Sequence, residues 1–237
     1  DNAKFLRERA TKWALNVNSK KLKPKEALIA LKCTIWRSLC YPLAATTMNA
    51  RQCNYAISPA IQAALPVIGL QRNISKTILH SSHHDLGLAI PNLFYEQLAA
   101  HIDAIFRHWN SGTTTGKLLR ATVESIWVET GNSFWYREPI AIWSTVIRNN
   151  WMIETVKQAR EANLLIEPPA CPFQRQRDGD ILIMDGVLKW TQNVDIIRII
   201  NNCRKFLQAI WLSDLVEQDG VTWRTGILEC VFPSDNW

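Results

Sequence analysis

The chain has 237 residues, of which 47% are hydrophobic and 20% charged, a composition typical of a folded protein and not of a disordered one. No apolar run approaches the length of a bilayer crossing, which argues against a membrane protein. The length suits one large domain or two small ones. Eleven tryptophans predict a well-packed interior.

The net charge of +6 is unevenly distributed along the chain. Residues 1–26 hold eight Lys or Arg and only three Asp or Glu, so most of the excess lies at this end. A basic end on a nearly neutral body fits contact with a polyanion such as nucleic acid. A solvated helix face explains the same charges equally well, and the composition alone does not separate the two.

The six cysteines are scattered, without a CxxC pair. Such spacing favours reduced, buried thiols in a cytosolic or nuclear protein over disulfides. The first residue is Asp, and no charged-then-apolar leader follows it. We therefore expect an intracellular piece of a longer polypeptide.

The first part of the chain reads as a series of helices. Residues 1–17 place apolar side chains on one face and cations on the other. A helix over 26–40 ends at Tyr41-Pro42. Asn49 is the expected N-cap of a short helix to 57, and Ser58-Pro59 the expected start of another over 60–65. A short helix over 75–79 and a polar loop over 80–85 follow.

The stretch 86–109 has the clearest pattern of an amphipathic helix. The predicted helices on either side of it have apolar faces that must pack against another element, and this helix is the expected partner. Pro91 predicts an extended Ile90, and Asn92 is then the natural N-cap. The expected core face consists of Phe94, Leu98, Ile102, Ile105 and Trp109, whereas Gln97 falls among the polar positions.

The second half also predicts helices, over 116–129, 140–162 and 178–189. Gly131 and Asn132 close the first of them. Asn193 is expected to cap a last long helix that reaches Leu215. Residues 221–231 either pair as a small strand or simply end the fold. The whole predicts a mainly α protein, an irregular multi-helix bundle with little or no sheet, divided into 1–110, 111–163, a Pro-rich linker over 164–177, and 178–237.

Three sequence features suggest chemistry only weakly. The histidines of the 80–85 loop lack the ligand number and spacing of a zinc site, so a surface loop or a phosphate contact is the better interpretation. Asp178, Asp180 and Asp185 lie at a predicted helix start, where carboxylates cap free amides. TTTGK at 113–117 lacks the first glycine of a phosphate-binding loop. We therefore predict no metal ligands and no cofactor in this chain.

Three segments, LRERATKWA at 6–14, SLCYPLAATTMNARQC at 38–53 and LGLAIPNLFYEQ at 86–97, together resemble the region after the polymerase core in reverse transcriptases of non-LTR-type retroelements. The similarity continues in order through HIDAIFRHW, TGKLLRA, WMIETV and NNCRKFLQAIWLSDL. The resemblance implies a thumb-like helical part within 1–110 that grips the template–primer duplex through its backbone.

In that family, catalysis belongs to the palm, where an aromatic-x-Asp-Asp turn holds Mg²⁺ for nucleotidyl transfer. This sequence has no Asp-Asp pair, so the resemblance carries over no catalytic residue and implies a fragment whose palm is missing. The expected partners are an RNA or DNA duplex and that palm. The expected backbone contacts are Lys4, Arg7, Arg9, Lys12, Lys20, Lys21 and Lys23, with Arg72 and Lys76 as additions.

Two other functions remain open. One is a non-enzymatic helical scaffold or protein-interaction module whose basic end meets an acidic partner or nothing. The other, a metal-dependent enzyme built on the histidine loop, has the least support from the sequence.

Overall fold

A computed structural model describes residues 2–138, 140–143, 146–148, 150–167 and 173–227. The chain divides into two compact units, unit 1 over Asp1–Asn110 and unit 2 over Ser111–Trp237. The described residues are mainly helical, and their only strand-like pairings are the isolated bridges Leu182–Trp211 and Val216–Trp223. The prediction of a mainly α, multi-helix protein is confirmed. Of the expected 164–177 linker, residues 168–172 lie outside the described part, as do 228–231 of the expected C-terminal strand.

Unit 1 contains helices α1 to α6, over Asn2–Ser19, Pro24–Ala30, Trp36–Cys40, Ala50–Val67, Lys76–His80 and Leu93–Trp109. A π-helical segment, Leu31–Ile35, joins α2 to α3, so this stretch is continuous, as predicted. The expected N-caps are present: Asn49 accepts from the N–H of Gln52, and Asn92 accepts from the N–H of Phe94 at 3.0 Å. These local signals set the helix starts because each satisfies an amide that the helix itself cannot.

The core of unit 1 is built on the pairing of α1 with α4, the most extensive helix contact in the unit. Both helices present small residues at this contact, which lets their backbones approach closely. Helix α1 buries Ala3, Leu6, Ala10, Ala14 and Val17, and α4 buries Cys53, Ala56, Ile57, Ala60, Ala63, Ala64 and Leu65. Phe5, one of the apolar residues within the predicted helix 1–17, does not join this core and is half exposed.

The prediction of two short helices at 49–57 and 60–65 is wrong, because α4 runs without interruption through Pro59. A proline removes the amide that would bond to the carbonyl four residues earlier, here the carbonyl of Tyr55. Nη1 of Arg7 donates to that oxygen at 2.7 Å and replaces the missing donor. The break expected from the sequence is avoided by a residue 48 positions away, a partner that local patterns cannot show.

Helix α6 buries Leu93, Phe94, Gln97, Leu98 and His101, while Ile102, Ile105 and Trp109 are only half buried. The expected core face is therefore wrong in its second half. Gln97 binds the backbone of Met48 twice, accepting from its N–H at 3.0 Å and donating to its carbonyl at 2.9 Å. Nε2 of His101 donates to the carbonyl of Thr46 at 2.8 Å, and burial lowers the pKa of this histidine. Two buried polar side chains thus hold residues 43–48 against α6.

Unit 2 contains helices α7 to α11, over Thr114–Thr130, Ile140–Trp143, Trp151–Glu161, Ile183–Trp190 and Val194–Phe206. The predicted single helix over 140–162 is wrong, because Asn150 caps a new helix by accepting from the N–H of Ile153. The last helix is capped by Asn193, as predicted, but it ends at Phe206 and does not reach Leu215. Gln208 then takes a positive φ of 54°, which turns the chain.

The buried face of α11 combines the apolar Ile197 with the polar Asn201 and Arg204, and the two polar residues contact the C-terminal end of α7. Arg204 is 4% exposed; its Nη2 donates to the carbonyl of Val128 at 2.7 Å, and its Nε donates to Asn201 at 3.0 Å. The last carbonyls of a helix lack intrahelical donors and carry the negative end of its dipole, so a cation is favourable there. Burial lowers the pKa of Arg204 to about 10, which leaves the guanidinium charged at neutral pH.

The helix predicted over 178–189 begins only at Ile183, so Asp178 and Asp180 precede it, whereas Asp185 lies in its first turn as expected. No side chain caps the start of α10. Asp185 accepts from the N–H of Ser133 at 2.9 Å, and Asp180 accepts from the hydroxyl of Ser213 at 2.5 Å. These carboxylates connect distant segments of unit 2.

Two further sequence expectations can be compared with the fold. The thiols of Cys33, Cys40, Cys53 and Cys203 are free, as expected, but only Cys53 is buried, and Cys33 is exposed. Burial raises the pKa of Cys53 to about 12. Among the helices of the described residues, none combines the length and apolar content that crossing a membrane requires.

Gly131 offers a sharp test of the packing in unit 2. Its φ is +59°, and a Cβ there would lie 2.8 Å from Cζ of Arg204. We expect Gly131→Ala to lower the free energy of unfolding by about 2 kcal/mol, through left-handed strain and displacement of the guanidinium. Gly186 in α10 has nothing within 4 Å of the added methyl, so Gly186→Ala should raise stability by about 0.5–1 kcal/mol. Urea unfolding of both variants checks this, and a stabilising Gly131→Ala would contradict the assigned role of Arg204.

Candidate nucleic-acid interface

Charge is divided between the two units. Unit 1 has fourteen Lys or Arg and six Asp or Glu, a net of +8, and unit 2 has thirteen and fifteen, a net of −2. Between Glu26 and Asp85 the sequence contains no acidic residue at all. The surface built from this stretch therefore has no internal anion to neutralise its cations.

A groove in unit 1 gathers part of that charge. It has a volume of about 410 Å³ and lies along α4, with residues 72–80 and Arg7 of α1 as its other borders. Its cations are Arg7, Arg51, Arg72 and Lys76, and none of its lining residues is acidic. We call it the α4 groove.

The structure brings three of the expected contact residues together in this groove and separates the others. Arg7, Arg72 and Lys76 line the α4 groove. Arg9 is turned toward α3, where its Nη1 lies 3.4 Å from the carbonyl of Ser38 and its guanidinium covers the ring of Phe5. Lys4 and Lys12 are exposed on α1, and so the helix presents its charges on several sides and not as one basic face.

The connector after α1 provides a second group of cations. Lys20, Lys21 and Lys23 are all exposed in the short segment between α1 and α2. No ion pair of these three is found among the described residues, which leaves their charges available to an external anion. Exposed lysines of this kind suit contact with phosphates and carry no sequence preference.

Arg51 is a further cation of this surface that the sequence pattern did not indicate. It is exposed in the first turn of α4 and lines the α4 groove. The absence of acidic residues over 27–84 is the signal that could have identified it.

Arg7 has a structural role that the sequence did not indicate. Besides its bond to the carbonyl of Tyr55, its Cζ lies 4.1 Å from the centre of the Tyr55 ring. The guanidinium therefore stacks on the aromatic face while one nitrogen satisfies the helix backbone, a combination that lysine cannot reproduce. Arg7 fixes the border of the α4 groove and adds charge to it.

The histidine loop is organised by backbone contacts. Nδ1 of His80 donates to the carbonyl of Ile90 at 2.7 Å, and Nδ1 of His83 donates to that of Gly87 at 3.0 Å. In the described part of the chain, no three His, Cys, Asp or Glu side chains come close enough together to hold a metal ion. The structure thus assigns these two histidines to the turn that precedes α6.

Comparison with protein-family models, with curated proteins and with solved structures finds no match to this chain.

The role assigned to Arg7 predicts a stability effect. Arg7→Met keeps the length and apolar stem of the side chain but leaves the Tyr55 carbonyl without its donor, so we expect a loss of about 1–2 kcal/mol in the free energy of unfolding. Lys12→Met on the exposed side of the same helix is the matched control and should change stability by less than about 0.5 kcal/mol. Urea unfolding measures both, and equal effects would show that Arg7 does not support α4.

Proposed function

We propose that this chain is the post-palm part of a non-LTR-type reverse transcriptase and that unit 1 grips the backbone of a template–primer duplex. The reverse-transcriptase part of the proposal rests on the resemblance of segments 6–14, 38–53 and 86–97. The single observation that carries the grip is the charge of unit 1, a net +8 with an acid-free stretch of 58 residues between Glu26 and Asp85. A grip that does not depend on sequence requires cations near phosphates and little base readout.

The residues proposed for this grip fall into two groups on unit 1. The connector lysines, Lys20, Lys21 and Lys23, reach phosphates from an exposed position, with Lys4, Arg9 and Lys12 of α1 as neighbours in sequence. Arg7, Arg72 and Lys76 of the α4 groove, now joined by Arg51, form the second group. Polymerisation is left to a palm with its Mg²⁺ ions in the parent polypeptide, and no catalytic step is assigned to this chain.

A protein-interaction module is the second candidate, supported by a different surface. On α6, the residues Tyr95 and Phe106 are 54% and 81% exposed. Exposed aromatic residues are frequent at protein interfaces. On this account the chain would bind a protein through α6, and its affinity for nucleic acid would be negligible even at low salt.

Salt-dependent binding distinguishes the two candidates. An RNA–DNA duplex of about 16 base pairs is titrated with the whole chain between roughly 50 and 200 mM salt, with fluorescence anisotropy as the readout. The variant Lys20→Glu/Lys21→Glu/Lys23→Glu should bind much more weakly, and the slope of log K against log salt should fall by about 2 to 3.

A control with the same change in net charge is available in unit 2. Lys117, Arg175 and Lys189 are exposed there, and their reversal to Glu should leave the slope nearly unchanged. Absence of binding by the unaltered chain at low salt would reject the proposal and favour the protein-interaction module. Equal losses in the two triple variants would show that only net charge matters.

A further inference from the structure

The α4 groove is more than a patch of charge, because it also exposes an aromatic ring. The ring of Tyr55 lies among the lining residues, and the residue is half exposed at 50%. Arg7 occupies a face of the ring with its Cζ 4.1 Å from the centre. An aromatic side chain held in this way cannot easily turn aside, and part of its surface stays open to the groove.

Aliphatic side chains continue the apolar surface beside this ring. Ile61 and Ile74 are half buried and line the groove, and Leu65 and Leu79 lie beneath with almost no exposure. A phosphate backbone alone gains nothing from such a surface. A flat, weakly polar group such as a nucleobase would bury it favourably.

The polar side chains of the groove are available for a ligand. Arg51, Arg72 and Lys76 form no ion pair among the described residues. Asn54, Ser58 and Gln62 recur every four residues along α4, so they lie in a row on its groove side. Amide and hydroxyl groups in such a row can bond to base edges or sugar oxygens, and the cations can bond to phosphates.

Base pairing decides which nucleic acid fits. In a duplex the faces of the bases are stacked on each other, and a protein meets only phosphates, sugars and groove edges. An unpaired nucleotide offers its base face as well, which is what the ring of Tyr55 and the aliphatic surface can cover. The volume of about 410 Å³ lies within the range of small-molecule sites, which suits one nucleotide and its flanking phosphates.

We propose that the α4 groove binds an unpaired nucleotide of a single nucleic-acid strand, with its base against Tyr55 and its phosphates against Arg51, Arg72 and Lys76. This inference rests on the proposed function and refines it. The connector lysines contact the duplex, and the α4 groove holds a single-stranded segment of nucleic acid that is not part of the duplex.

The test compares a single-stranded oligonucleotide of about 12 nucleotides with a duplex of the same length, using anisotropy on the whole chain. Tyr55→Leu removes the ring but keeps an apolar side chain, and we expect it to weaken single-strand binding about tenfold. Tyr55→Phe keeps the ring and should bind like the unaltered chain. Neither change should alter duplex affinity by more than about twofold, and thermal unfolding confirms that each variant is folded.

Position is tested separately by light-induced cross-linking of a strand that contains 5-iodouridine, followed by mass spectrometry of the adduct. A cross-link at Tyr55 supports the assignment.

Single-strand affinity that Tyr55→Leu leaves unchanged would overturn the assignment of the α4 groove, even if the duplex still binds and the proposed function stands. A mononucleotide that binds as tightly as the strand would also overturn it, as would poly-glutamate competing as well as an unlabelled strand. Loss of binding to every nucleic acid at low salt would reject both proposals together.

Discussion

The bond from Arg7 to the carbonyl of Tyr55 is the contact on which the form of unit 1 depends. Pro59 deprives that carbonyl of its helical donor, and a guanidinium from α1 supplies one at 2.7 Å. The same contact lies at the border of the pairing between α1 and α4, where alanines allow close approach. Helix α4 continues through Pro59 to Val67 and provides one whole side of the α4 groove.

Unit 2 uses a similar device at a helix end. Arg204 donates to carbonyls in the last turn of α7, and Gly131 allows its guanidinium to approach the turn that follows. A buried cation is costly unless its donors are satisfied, and here Asn201 and the carbonyls of Val128 and Ala209 satisfy several of them. In both units an arginine that looks like a surface charge in the sequence is part of the architecture. Lys20, Lys21 and Lys23, by contrast, are exposed and form no ion pair within the described part of the chain.

The helix starts could be predicted from the sequence wherever the determining chemistry is local. Asn92 and Asn193 cap the helices expected of them, and Gly131 ends α7 with a positive φ, because each acts within a few residues of its partner. The errors arose where the partner is distant. Pro59 depends on Arg7, and Gln97 is buried because its amide matches the backbone of Met48, 49 residues away. The hydrophobic periodicity of the helix places a glutamine on the surface, and it contains no information about a hydrogen-bond partner so far along the chain.

The candidate site could be predicted only in part for the same reason. The cations of the first 26 residues were apparent from composition, but their division among separate surfaces required the packing of α1 on α4 and α3. The α4 groove joins residues 7, 51, 72 and 76, which no local pattern connects. Unit 1 has a net charge of +8 and unit 2 a net charge of −2, and the proposed nucleic-acid contact is therefore assigned to unit 1.

Lysine footprinting tests this division most directly. The whole chain is acetylated briefly with and without a saturating nucleic acid at low salt, and the modified lysines are quantified by mass spectrometry. The account predicts protection of Lys20, Lys21, Lys23 and Lys76 in unit 1 and unchanged reactivity of Lys117 and Lys189 in unit 2. Protection of the unit 2 lysines alone, or of none at saturation, would contradict it.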